Sequence, residues 1–154
     1  YCVTSAMLGS FRESERVRRQ GSPFSLVLLD VDQFKEINDT FGHDVGDQAL
    51  VHIAELVRHT VRGQDAVARW GGEELLVFLP ATPVDGALLT AEKIRTALAD
   101  PVHHVAGHEL SLRASLGVSA LRPGEPLRDC IRRADLALYR AKAGGRNQVV
   151  AAAE

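Results

Sequence analysis

Arg69-Trp70-Gly71-Gly72-Glu73-Glu74-Leu75 is the stretch on which the fold of this chain turns. Ala66 to Trp70 has β character, and Leu75-Leu76-Val77-Phe78-Leu79 is a short apolar run that reads as a second strand. Gly71-Gly72 between two such runs predicts a hairpin, because glycine reaches the positive φ of a primed turn without a Cβ clash. Glycine also clears side chains from a backbone that a large ligand must approach. Glu73 and Glu74 beside that bare turn repel each other unless a cation lies near them. Standing alone, such a turn reads first as a solvated hairpin, and the rest of the chain has to decide between the two.

Upstream, Phe24-Ser25-Leu26-Val27-Leu28-Leu29-Asp30 is a nearly continuous apolar run that ends in a carboxylate. It predicts a central strand buried on both faces, with Asp30 delivered at its end. The acids that follow, from Asp30 to Asp39, invite a calcium-loop reading. Lys35 stands at the sixth position, where the loop needs glycine, so an EF-hand is excluded. Phe34, Ile37 and Phe41 instead predict a short helix with one buried stripe. Gly42 to Asp47 reads as a turn-rich connection, with Asp44 or Asp47 as the cap of the next helix. That helix carries Leu50, Ile53, Val57 and Val61 on one side.

Downstream of the hairpin, Leu88, Ala91, Ile94 and Leu98 predict a helix from about Asp85 to Leu98. Leu110, Leu112, Ala114, Leu116, Val118 and Ala120 alternate strictly, which predicts one strand, with a shorter strand near Val102 to Val105 pairing across Ala106-Gly107. A last helix carries Ile131, Ala134, Leu138 and Ala141, stops at Gly144-Gly145, and yields to an apolar run at Val149-Val150. Short strands interspersed with helices, two hairpins among them, predict an α+β sandwich with a mixed central sheet.

With 154 residues, 45% of them hydrophobic, there is material for one domain and one core. A net charge of −2 argues against polymeric nucleic acid as a partner. Two cysteines, Cys2 and Cys130, are too few for a disulfide framework and fit a reducing, cytoplasmic setting. The first residue is Tyr1, so a fragment of a longer protein is expected, with membrane or sensory segments upstream left open. Residues 1–22, with the charged run Phe11 to Arg19, read as a divergent approach segment, and residues 23–154 as the functional domain.

Three separated blocks now align with one pattern. They are Asp30-x-Asp32-x-Phe34-Lys35-x-x-Asn38-Asp39-x-x-Gly42-His43-x-x-Gly46-Asp47, then Arg69 to Glu74, then Ala134-Asp135-x-Ala137-Leu138-Tyr139-x-Ala141-Lys142-x-x-Gly145-Arg146-Asn147. Together they resemble the GGDEF family of diguanylate cyclases, from about Leu26 to the C-terminus. The resemblance implies a fold similar to the palm of nucleotidyl cyclases. It also implies a reaction in which two GTP molecules, one on each of two domains, condense to cyclic di-GMP and release pyrophosphate.

The residue roles implied by the resemblance are these. Asp30 and Glu73, with the carbonyl of Val31, hold Mg²⁺ or Mn²⁺, and Glu74 is the second acid of the turn. Asn38 and Asp47 read the guanine edge. Lys35, Lys142 and Arg146 neutralise the triphosphate, and Phe34, His43, Gly71 and Gly72 complete the nucleotide site. Arg62-x-x-Asp65, six residues before Gly71, matches an inhibitory site for cyclic di-GMP. Its third contributor falls on Lys93, which keeps the charge of the family's arginine but not its fork. A second GGDEF domain and an upstream regulatory domain are the implied partners. Singly, each residue has a structural reading: Asp30 ends a strand, Lys142 and Arg146 suit a helix C-terminus, and Asn38 and Asp47 serve turns and caps.

Two departures stand out. Leu75 replaces a phenylalanine, one apolar residue for another. The family's Asp-x-Leu-Thr-Gly-Leu-x-Asn-Arg-Arg segment is absent, with Val3 to Leu8 at most a remnant. An alternative therefore stands beside the enzyme: a catalytically impaired domain that serves as a receptor for GTP or cyclic di-GMP.

Overall fold

The computed structural model describes residues 22–153, so the approach segment expected over residues 1–22 lies almost wholly outside the described residues. The elements run β1 Phe24–Val31, α1 Phe34–Phe41, α2 His43–Thr60, β2 Ala66–Arg69, β3 Glu74–Pro80, α3 Val84–Ala99, β4 His103–Val105, β5 His108–Leu110, β6 Ala114–Ala120, α4 Leu127–Ala143 and β7 Val149–Ala151.

Five strands form one sheet in the order β2-β3-β1-β6-β7, antiparallel except for the β6–β7 pair. β1 is buried along its whole length because helices cover both faces of the sheet. Val27, Leu29 and Val31 point to α1, α2 and α3, in one apolar cluster with Ile53, Ile94 and Leu116. Phe24, Leu26 and Leu28 point the other way, to Cys130, Ala134 and Leu138 of α4. Each fully buried Leu or Phe contributes about 1.5–3 kcal/mol, which makes this strand the anchor of both clusters. The expected α+β sandwich with a mixed central sheet is what forms.

Four local expectations need correction. The predicted strand from Leu110 to Ala120 is broken at residues 111–113: β5 pairs with β4 in a separate two-stranded hairpin, and β6 joins the main sheet. Both faces of β6 are buried. Ser115, Gly117 and Ser119 are the small residues of β6 because α4 lies directly on them. A Cβ on Gly117 would stand 2.1 Å from the Ala134 carbonyl oxygen and 2.5 Å from the Leu138 nitrogen.

The turn-rich connection expected at Gly42–Asp47 shrinks to Gly42 alone, at φ 93° and ψ 162°. His43 already begins α2, and no side chain caps it. Finally, the primed turn sits elsewhere. Gly71 and Gly72 are not in the left-handed region, whereas Ala106 (φ 50°) and Gly107 (φ 79°) are, between β4 and β5. Residues 70–73 form a wider four-residue turn between β2 and β3, pinned by Trp70 N donating to Glu74 O at 2.9 Å.

Candidate active site

The register of β1 against β3 sets Asp30 opposite Glu74, so the acid at the end of the apolar run meets the acids of the turn. Val31 N donates to Glu73 O at 3.2 Å, which seats the turn on the tip of β1. Asp30, Val31, Glu73, Lys35, Lys142 and Arg146 line one cavity of about 160 Å³, together with Asp32, Gln33 and Phe34. Glu74 is turned otherwise. Its Oε1 lies 2.8 Å from where a Cβ on Gly71 would be, so the bare turn makes room for this carboxylate rather than for a left-handed backbone.

Lys142 reaches the site because α4 ends where it does. Arg146 N donates to Ala141 O at 3.0 Å and Gly145 N to Lys142 O at 3.3 Å, with Gly145 at φ 117°. This is a Schellman stop, which glycine accepts without strain. It leaves Lys142 on the last turn and Arg146 just beyond it. The Lys142 ammonium hydrogen-bonds to Oδ2 of Asp30, whose side chain is 8% exposed.

Even so, the acids are not at ease. Burial pushes Asp30 above the usual carboxylate range; Lys142 works against this, and Asp32 and Asp135 add to it. Glu73 is also raised, by burial and then by Asp30. Glu74 is raised by burial, Asp30 and Asp135, with Lys142 opposing. Three carboxylates held uphill around one ammonium form a place where a further cation is stabilised.

The donor set fits a hard divalent ion. Oxygens line the cavity, the Asp30 and Glu73 carboxylates beside Val31, and these would suit Mg²⁺ or Mn²⁺. Among the described residues no group of three or more His, Cys, Asp or Glu is placed to hold a metal ion.

α1 opens on Gln33 at φ 55°, with no side chain capping its N-terminus. The free amides at that end, Phe34 and Lys35 among the cavity's lining residues, favour anions. At the other end of α1, half-buried Asn38 lies over Gly46 of α2, one residue before exposed Asp47. A Cβ on Gly46 would sit 1.8 Å from Asn38 Oδ1. Asn38 thus packs against the residue before Asp47, neither of the two lines the cavity, and His43 is exposed at the start of α2.

Arg62 and Asp65 do meet. Arg62 N donates to Asp65 Oδ2 at 2.9 Å, its Nε lies 3.6 Å from the same oxygen, and its Nη2 donates to Thr82 Oγ1 at 2.5 Å. The Asp65 side chain is 1% exposed and its Oδ1 is buried without a partner. Lys93 is exposed on α3, and among the described residues no hydrogen bond or ion pair joins it to either.

Asp32 and Ser115 escaped the sequence reading of the site. Asp32 had the signal of a second acid two residues after Asp30. Ser115 had none, because its role depends on β6 lying beside β1.

A mixed five-stranded sheet flanked by four helices is the palm-like architecture of nucleotidyl cyclases. Solved structures bear out the class. The active GGEEF domain of a diguanylate cyclase from Vibrio cholerae superposes with a TM-score of 0.87 at 36% identity, over 95% of this chain and 94% of that one. The GGDEF domain of DgcB from Caulobacter crescentus in complex with c-di-GMP gives 0.87 at 32% identity, over 93% of this chain and 85% of that one. The chain belongs to the GGDEF family, whose model, diguanylate cyclase, GGDEF domain, matches residues 10–148. A curated relative, diguanylate cyclase DgcP of Pseudomonas aeruginosa, is 42% identical over 138 residues, which are 90% of this chain and 21% of that protein. The chain therefore spans about a fifth of that relative's length. No helix among the described residues is long and apolar enough to cross a membrane.

Proposed function

We propose that residues 23–154 form the catalytic unit of a diguanylate cyclase, a cytoplasmic domain regulated from an upstream segment of a longer protein. The observation that carries this is the cavity in which Asp30, Val31 and Glu73 face Lys35, Lys142 and Arg146. Acids suited to a cation and bases suited to phosphates share one cavity, as a bound metal–triphosphate requires.

In this reading Lys35, Lys142 and Arg146 neutralise the triphosphate, and the α1 N-terminus takes a phosphate on its amides. Asn38 and Asp47 pair with the guanine edge, and a site built to hydrogen-bond one base rejects another by leaving its own groups unpaired. Asp30, Glu73 and the Val31 carbonyl hold Mg²⁺ or Mn²⁺, which when bound polarises the α-phosphate and acidifies the attacking 3′-hydroxyl. Each domain carries one GTP, so a second copy supplies the other half-site. Two 3′-oxygen–phosphorus bonds form, two pyrophosphates leave and two hydroxyl protons are released. Arg62 and Asp65, with a lesser part from Lys93, bind the cyclic product and restrain synthesis. The guanidinium suits phosphate, and the unpartnered Asp65 Oδ1 suits a guanine N–H once the loop adjusts.

Incubation with GTP and Mg²⁺, followed by measurement of pyrophosphate and cyclic di-GMP, is the test. Asp30→Ala and Glu73→Ala are expected to fall below about a tenth of the parent rate, a loss of roughly 1.4 kcal/mol or more of transition-state stabilisation. A variant above that level refutes the metal assignment. Nucleotide binding by the parent without pyrophosphate release would replace the enzyme with the receptor.

A further inference from the structure

Asp32 lies two residues past Asp30 and lines the same cavity, yet both its oxygens are engaged by the protein. Oδ1 accepts from Ser115 Oγ at 2.6 Å and Oδ2 from the Asn147 backbone N–H at 2.8 Å. Its own N–H donates to Arg113 O at 2.8 Å. The two acids of the Asp-x-Asp pattern therefore differ in kind: Asp30 meets the Lys142 ammonium, and Asp32 is built into the frame.

What that frame holds is the turn after α4. Arg146 and Asn147 are consecutive non-glycine residues in the left-handed region, at φ 65° and 46°. Such residues persist there only where neighbours over-determine them. Asn147 is fixed twice, by Asp32 at its amide and by Arg95 Nη1, which donates to its Oδ1 at 3.2 Å. Arg95 is itself ion-paired with Glu92 on α3.

We propose that Asp32 is a positioning residue for the nucleotide's distal phosphates: through Asn147 it sets the backbone from which Arg146 reaches into the cavity. This rests on the reading of Arg146 as a triphosphate contact. A carboxylate that accepts a backbone amide makes a short, charge-assisted bond, strong enough to hold one turn conformation. A ligand without distal phosphates has nothing to gain from it.

The test is a double-mutant cycle read by calorimetry with Mg²⁺, using α,β-methylene GTP, which cannot release pyrophosphate, and GMP as the short comparator. Asp32→Asn is expected to weaken the triphosphate analogue about tenfold, the loss of one charge-assisted contact partly retained, and to leave GMP within about twofold. In an Arg146→Ala background the same substitution is expected to add nothing, the signature of residues that act as a unit. Ser115→Ala, which spares the Oδ2 bond, is expected to bind the analogue as the parent does. If Asp32→Asn loses its cooperative thermal transition, Asn147→Gly replaces it. That variant keeps the amide but frees the turn, and the same triphosphate-selective loss is expected. Equal weakening of GMP and the analogue, or a fully additive loss with Arg146→Ala, overturns the proposal. A parent that binds neither ligand overturns the nucleotide reading itself, and this inference with it.

Discussion

Gly46→Ala is expected to separate recognition from stability. The new methyl would stand 1.8 Å from Asn38 Oδ1, 3.0 Å from its Cγ and 3.2 Å from Phe34 Cζ. The carboxamide must withdraw by more than an ångström to reach even the 3.0 Å limit of real contacts. It can do so, because it is the end of a rotatable, half-buried side chain that water can receive. Displacing it off its rotamer costs about 0.5–1.5 kcal/mol. Alanine in a helix interior regains about 0.8–1.0 kcal/mol over glycine. The two nearly cancel, so the melting temperature is expected to stay within a few degrees of the parent, at about 2–4 °C per kcal/mol for a domain of this size. On the proposed reading of Asn38 the amide that meets guanine is then out of place, and about 1–3 kcal/mol of base discrimination goes with it, roughly fivefold to 150-fold. Calorimetry with non-reactive GTP and ATP analogues, beside a thermal melt, measures both quantities. A variant that keeps the parent's preference for GTP refutes the role of Asn38. A melting temperature lower by more than about 10 °C means that α1 moved as a body, and refutes the local account.

Other perturbations probe the frame, the charge cluster and the second site. Gly117→Ala drives a methyl into the backbone of α4, where no side chain can yield; overpacking of about 3 kcal/mol is expected, seen as a large drop in the urea midpoint, and a drop of less than 1 kcal/mol would mean that α4 slides freely. Asp30, Glu73 and Glu74 have raised folded-state values, so the unfolded chain gives up these protons at lower pH than the folded one. Stability then falls as pH rises from the ordinary carboxylate range through the raised values. Without metal, Glu73→Gln is expected to raise the melting temperature at pH 7, and to change it little at pH 4, where the parent glutamate is itself protonated; an unchanged or lower value at pH 7 contradicts the strain assigned to the cluster. Arg62→Ala is expected to weaken cyclic di-GMP on the order of a hundredfold through loss of a charge-assisted contact. Equal calorimetric affinity in parent and variant would reduce Arg62-x-x-Asp65 to an ordinary loop.

Sequence by itself determined whatever depends on local periodicity and on chain punctuation. The apolar run of β1 with Asp30 near its end, the stripes of α2 and α3, the hairpin across Ala106-Gly107 and the stop of α4 at Gly145 all follow from a few neighbouring residues. Motif spacing then carried the candidate residues, since Lys142 and Arg146 reach the cavity through that stop and Asp30 meets Glu74 through strand register.

Tertiary structure decided what depends on partners distant in sequence. Both faces of β6 are buried, one of them under α4, so Ser115, Gly117 and Ser119 are small for want of room. Gly71 is bare for Glu74 Oε1 rather than for φ, and Gly46 for Asn38. Asp30 and Asp32 look alike along the chain; a lysine 112 residues away engages one, and Ser115 with Asn147 occupies the other. A side chain's chemistry is set by the field and the donors around it, and those arrive only when remote segments pack together.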